Sequence, residues 1–276
     1  MLGRNRWGMV VSVVVASCVI AFGTAAWATE RPASEGGRYN GKGTVNGKAA
    51  EIKDGEGLLR AMQGRYAKDW YETLSFQQDA ITHNADGTNK TEIWYEAAIL
   101  PGKLRIDIGA ADSPNGMLVA DGKLNIFKDG AVTVSQPFVH MLLVLGFDVY
   151  KQPAETTITQ VKGQGFDLAK MHEDTWEGEP VYVVGADKGD VKARQFWIEK
   201  KRLLFVRLIQ PDRQDATKTA DTRFMDYKKL SVGYVAARVE FYVDGKNEFS
   251  EIYSNIQANP KLDAGRFDAG KMKKKD

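Results

Sequence analysis

From residue 74 onward apolar side chains return at every second position, and the runs they form are cut by Asp-Gly pairs. Leu74, Phe76 and Gln78 alternate with polar neighbours. Ile93, Tyr95, Ala97 and Ile99 do the same, as do Leu104, Ile106 and Ile108 against Arg105 and Asp107. A period of two is the signature of a strand with unlike faces. The Asp-Gly pairs stand at 86–87, 121–122, 129–130 and 244–245. Two-residue hairpin turns of the primed types need positive φ, which these residues tolerate. Met117–Ala120, Asp121-Gly122 and Lys123–Phe127 make the cleanest hairpin. Strand-like runs follow at 166–173, 180–186, 192–198, 203–210, 221–228, 234–243 and 247–257. About a dozen strands joined by short turns predict a mostly antiparallel meander. There is no βαβ alternation and no internal repeat of fixed period.

Two segments depart from this period. Asp54 is placed to cap a helix over about 55–69, where Leu58, Leu59, Met62, Tyr66 and Trp70 share one face. Residues 137–147 are almost wholly apolar, from Pro137 to Phe147. Eleven residues are too few to span a bilayer, which takes ~20. Pro137 at entry and Gly146 near exit suit a short helix buried against a sheet, and a buried strand is the alternative.

The first residues bear on the compartment. Arg4 and Arg6 precede an uncharged stretch from Trp7 to Phe22, and Ala26-Trp27-Ala28 offers small residues at the −3 and −1 positions before Thr29. That order predicts a cleaved secretory signal peptide over 1–28 and a periplasmic destination. Two alternatives stand beside it: Val15-Ala16-Ser17-Cys18 loosely fits a lipobox that would lipidate Cys18, and the apolar run could stay as a membrane anchor. Residues 29–53 are polar and glycine-rich and read as a flexible leader, followed by one domain over 54–270. A basic tail, 271–276, reads as a solvated end, with contact to anionic lipid head groups as the other reading.

Removing 1–28 takes away two of the 38 basic side chains and no acidic one, leaving 36 of each sign. Such a balance argues against a nucleic-acid partner, which needs a basic surface. It also takes away the single cysteine, so the remaining chain has no disulfide, no thiolate metal site and no cysteine nucleophile. The remaining motifs point away from catalysis. His83, His140 and His172 form no ligand pair, and His140 reads as a core or helix residue. There is no GxSxG elbow and no phosphate loop, and Gly163-Gln164-Gly165 reads as a turn between strand-like runs. Carboxylate pairs such as Glu173/Asp174 and Asp187/Asp190 fall in expected turns. The expectation is no enzyme, no cofactor and no metal.

More informative is the excess of large apolar side chains. Val181-Tyr182-Val183-Val184, Leu203-Leu204-Phe205-Val206 and the run from Val235 to Val243 are apolar on both faces. A sheet wetted on one side alternates cleanly. These strands need a cover on each face, from sheet curvature, the short helices or a ligand.

The order of motifs has a familiar form: an amphipathic helix, a strand over 71–82, Glu92-Ile93-Trp94-Tyr95 leading to Leu100-Pro101-Gly102-Lys103-Leu104-Arg105, and the hairpin Leu118-Val119-Ala120-Asp121-Gly122-Lys123. A long strand then enters Ile256-Gln257-Ala258-Asn259-Pro260-Lys261-Leu262, with Phe267 beyond. Over about 54–268 this resembles the periplasmic lipoprotein-carrier family (LolA/LolB-like, lipoprotein-sorting proteins). The resemblance implies an incomplete, strongly curved antiparallel β-barrel with a helical lid, here 55–69 and 137–147, around an apolar cavity for acyl chains. Its partners would be an acylated protein or lipid and an inner- or outer-membrane protein, with the chain a monomer. The carrier proper has an arginine before the proline of the second strand, associated with gating. Leu100 stands there in this chain, which leaves the wider superfamily open, including sensors that bind an envelope protein without carrying cargo. On this reading Trp94, Ile106, Leu118, Phe196 and Phe205 line the cavity, while Leu142, Leu143, Leu145 and Phe147 close it. A register error of one residue would exchange the two faces of any strand.

Overall fold

The computed structural model describes residues 52–271 and 273–274. The expected signal segment, Cys18 and nearly all of the leader lie outside the described residues. The chain begins with α1 (Gly55–Tyr66), where the Asp54 carboxylate accepts from the Gly57 N–H at 2.7 Å. Leu58, Leu59, Met62 and Tyr66 are its buried stripe. The helix stops short of 69, and Trp70 lies beyond it, buried against Tyr150 with ring centroids 4.0 Å apart.

Six strands follow as a meander: β1 (Thr73–His83), β2 (Asn89–Ile99), β3 (Lys103–Ile108), β4 (Gly116–Ala120), β5 (Lys123–Lys128) and β6 (Ala131–Pro137). The chain then makes α2 (Met141–Gly146), a 3-10 turn (Asp148–Tyr150) and α3 (Ala154–Gly163). A second meander runs through β7 (Met171–Trp176), β8 (Glu179–Val184), β9 (Gln195–Glu199), β10 (Leu204–Pro211), β11 (Thr219–Lys229), β12 (Tyr234–Val243) and β13 (Lys246–Ala258). β13 pairs with β1, so the two meanders join into one open antiparallel sheet. The four Asp-Gly pairs all fall between paired strands, and Asp121-Gly122, Asp129-Gly130 and Asp244-Gly245 have positive φ at both residues. Bulges in the β1/β13, β5/β6, β9/β10 and β12/β13 pairs help the sheet bend into a trough.

Three expectations change. Pro137 ends β6 and does not open a helix; the helix begins at Met141, capped by His140, whose Nδ1 accepts from the Leu143 N–H at 3.2 Å. Residues 166–170 are not a strand, because Phe166 and Leu168 turn into the core and β7 starts only at Met171. Gly163-Gln164-Gly165 closes α3 and does not separate strands. In addition, Lys273–Lys274 of the basic tail pairs in parallel with Ala131–Val132, adding a two-residue β14 at the edge of β6.

The apolar excess goes to both faces. On the concave face the helices cover one continuous core. On the convex face Leu118, Ala97, Ala120 and Phe127 are covered by Phe267, with Leu262 and Ala269 beside it. A second outer patch of Val181, Val183, Val206 and Ile209 lies under Trp176 and Trp197. The Arg207 guanidinium sits over both indoles at 4.3 and 4.6 Å and makes a bidentate pair with Asp221 at 2.8 Å. The doubly apolar strands therefore need no ligand on their outer side.

Candidate functional site: a partitioned apolar trough

The concave face is filled unevenly. At one end Tyr66, Trp70, Tyr71 and Tyr150 pack edge to face or tilted. Their hydroxyls are satisfied: Tyr66 donates to the Arg202 carbonyl at 2.7 Å, Tyr71 to the Tyr234 carbonyl at 3.1 Å, and the Tyr150 oxygen accepts from the Phe205 N–H at 3.0 Å. This end is solid.

The other end is not. A cavity of ≈60 Å³ lies between α2 and the inner faces of β1–β4 and β11–β13. A second of ≈60 Å³ lies on the far side of His140 and Leu142, towards Arg213 and Tyr242. A third, ≈10 Å³, sits between Leu104, Ile106, Met117, Val119 and Leu124. His140 borders all three. Burial in this apolar setting, with Arg213 nearby, pushes its imidazole down to about 4, so it is neutral at pH 7.

α2 is the partition between the solid and hollow ends. Leu142, Leu143 and Phe147 face the first cavity. Gly146 packs on Phe224 and Phe205, where a Cβ would come 3.0 and 3.8 Å from their rings. Of the residues expected to line the hollow, Trp94 and Ile106 border it. Leu145 is fully buried without bordering it. Phe196 packs on Phe166 and Phe205 on Phe224, at centroid distances of 5.9 and 4.9 Å, in the filled core. Leu118 is on the convex face with Phe267, because its neighbours Met117 and Val119 take the inward positions of β4. That is the one-residue exchange inherent in a period of two. The sequence reading also missed Phe241, Phe249 and Tyr253, which the β12 and β13 alternation places on the same side.

The exit of α2 is tied down at one point. The Asp148 carboxylate, 1% exposed, accepts from the Gly102 N–H at 3.0 Å, in the turn between β2 and β3. Burial pushes this carboxyl up to about 7. Glu251, on the cavity wall, is likewise raised to about 7 by burial. Both groups hold more protons folded than unfolded, so they favour folding below pH ~4.5 and progressively less as pH rises through 7. His140 has the opposite sign, but its contribution changes only between about 4 and 6.5. Thermal melts should therefore fall from pH 6.5 to 8. The Asp148→Asn, Glu251→Gln double variant should lose on the order of 2 kcal/mol less over that window. Equal slopes would refute the assignment.

No family model and no curated protein matches the chain. Solved structures do. A domain from Vibrio parahaemolyticus, named as an outer membrane lipoprotein-sorting protein domain, superposes with a TM-score of 0.52 at 13% identity, over 78% of this chain and 96% of its own. The fold is LolA-like. A DUF1329 family protein from Desulfovibrio piger gives 0.50 at 13% identity, over 79% and 98%. In this LolA-like trough Leu100 is buried, and the exit of α2 is tied to the β2–β3 turn by Asp148.

Proposed function

We propose that this chain is an exported, non-catalytic carrier that holds the acyl chain of a lipid or lipoprotein in the periplasm, with α2 as the lid. The observation that carries this reading is the position of α2, a six-residue helix standing between three adjoining voids whose walls are mostly apolar. As it stands the hollow is too small, since a cavity holding one benzene needs about 150 Å³. Cargo enters when α2 swings out and its place is taken by the ligand.

The magnitudes favour such an exchange. Withdrawing Leu142, Leu143 and Phe147 costs about 5–9 kcal/mol of apolar burial, while sheltering a sixteen-carbon chain gains about 12 kcal/mol. The lid therefore stays shut when empty and yields to cargo. A three-residue connection, 138–140, leads from β6 into α2, and Phe147 alone joins the helix to the 3-10 turn that Asp148 ties down, so α2 swings about its β6 side. Leu142 is also the least buried of the helix's large side chains. The periplasm supplies the setting in which acyl chains must cross water between two membranes.

The test is titration of the purified chain with a fluorescent sixteen-carbon fatty acid, together with native mass spectrometry of protein extracted from the periplasm. Saturable one-to-one binding, displaced by palmitate, is the expected result. Absence of saturable binding, with an empty chain in the mass spectrum, overturns the carrier reading.

A further inference from the structure

The cavity wall carries a polar group that an acyl chain does not use. Glu96 on β2 and Glu251 on β13 both line the first cavity, and among the described residues no lysine or arginine does. The two strands flank β1, and between them lies Gln78, opposite Trp94 on one side and Tyr253 on the other. Gln78 is fully buried, and neither its Nε2 nor its Oε1 has a hydrogen-bond partner, although it sits beside the Glu251 carboxyl. Glu96 is 7% exposed and makes no hydrogen bond or ion pair. Glu251 accepts from the Tyr253 hydroxyl at 2.7 Å and lies beside the Gln78 amide.

Leaving such groups unmatched is costly. A buried polar group without a partner costs about 1–3 kcal/mol, and a buried carboxylate more. Burial holds both carboxyls above their ordinary range, and for Glu96 the nearby Glu251 adds to it. Two apolar residues would serve an alkyl-only cargo better at these positions. The two carboxyls on the cavity wall leave most of their lone pairs unused, with the Gln78 amide oxygen beside them, while the Gln78 Nε2 and the Trp94 indole N–H are unpartnered donors nearby. A primary ammonium has three N–H donors and a positive charge.

We propose that Glu96 and Glu251, with Gln78 buried between their strands behind them, form a subsite for the ammonium group of a single-chain amphiphile whose hydrocarbon occupies the rest of the trough. This rests on the carrier reading and narrows it: the cargo is an alkyl or acyl amphiphile bearing a free amine. The charge-assisted contacts supply selectivity, and the apolar walls supply most of the affinity.

Three probes of equal chain length separate the two claims: dodecylamine, 1-dodecanol and dodecanoate, titrated by calorimetry below their micelle-forming concentrations at pH 7. The wild-type chain should bind dodecylamine about tenfold or more tighter than either of the others. In the Glu96→Gln, Glu251→Gln double variant that preference should fall to about twofold or less. The glutamines are isosteric and remove buried charge, so thermal melts should show the variant at least as stable as the parent. Equal binding of the three probes by wild type overturns the ammonium subsite and leaves the carrier reading standing. A preference that survives in the double variant overturns the assignment to these residues. Binding of none of the three overturns the carrier reading, and the subsite with it.

Discussion

Asp107→Ala should cost about 3–5 kcal/mol of stability, the largest single loss expected of any polar substitution in this chain. Asp107 is 1% exposed. Its Oδ1 accepts from Arg105 Nε at 2.7 Å, and its Oδ2 accepts from Arg266 Nη2 at 2.7 Å and the Asp112 N–H at 3.1 Å. Arg105 also donates to the Arg266 carbonyl at 3.0 Å and lies over the Phe127 ring at 4.6 Å. Removing the carboxylate leaves the buried Arg105 guanidinium without its ion-pair partner and Arg266 with only the exposed Asp112 carboxylate, at 2.7 Å. It also loosens the segment that holds Phe267 over Leu118 and Phe127 on the convex face. Asp107→Asn keeps one acceptor and should lose about half as much. Urea unfolding reads this as a lower midpoint with an unchanged slope. A loss under 1 kcal/mol for the alanine variant would show that the outer ion cluster contributes little to the fold.

The second large effect is on binding. Ile106 points into the first cavity and also borders the small one beside Leu104 and Met117. Ile106→Trp puts a bulky ring into this space and should weaken uptake of the fluorescent fatty acid by more than about tenfold, since the ligand must then displace a packed indole. Overpacking costs about 1–3 kcal/mol, so the variant stays folded and its melt provides the control. Leu118→Trp, on the opposite face of the sheet, should leave binding within about twofold of wild type if the chain remains folded. If the Ile106 variant binds as well as the parent, the ligand does not occupy this trough.

Much of the architecture was legible because strands and turns announce themselves locally. Asp121-Gly122 with the alternation on either side specifies its hairpin without reference to the rest of the chain. α3 was not legible: Thr156, Thr157, Ile158, Thr159 and Val161 favour strands by side-chain shape, and packing against α1 overrides that preference. Pro153, Glu155 and the Gly163-Gln164-Gly165 exit were the available clues. For the site, the apolar character of 137–147 placed α2 correctly, but strand faces could not be read one by one. Leu118 was assigned to the inside because a buried outer cover, here Phe267 from far along the chain, leaves the same apolar mark as a cavity. Phe196 and Phe205 do face inward, and only the three-dimensional packing tells a filled end from a hollow one. Glu96 looked like one more polar position in β2, and its burial depends on the bend of the whole sheet.

The pairing of β1 with β13 joins Leu74 to Ala258 and Thr82 to Phe249. Each meander on its own is a set of neighbouring hairpins, cheap in loop entropy, whereas this seam closes a loop of most of the chain. The walls of the trough are drawn from both halves: Trp94 and Ile106 from one, Phe224 and Phe249 from the other. A nascent chain still short of β13 therefore owns neither a complete basin nor the Glu96–Glu251 couple. On the proposed carrier reading, competence to take up cargo arrives in one late stroke when the two flaps zip together, and a half-made molecule has no basin in which to hold lipid.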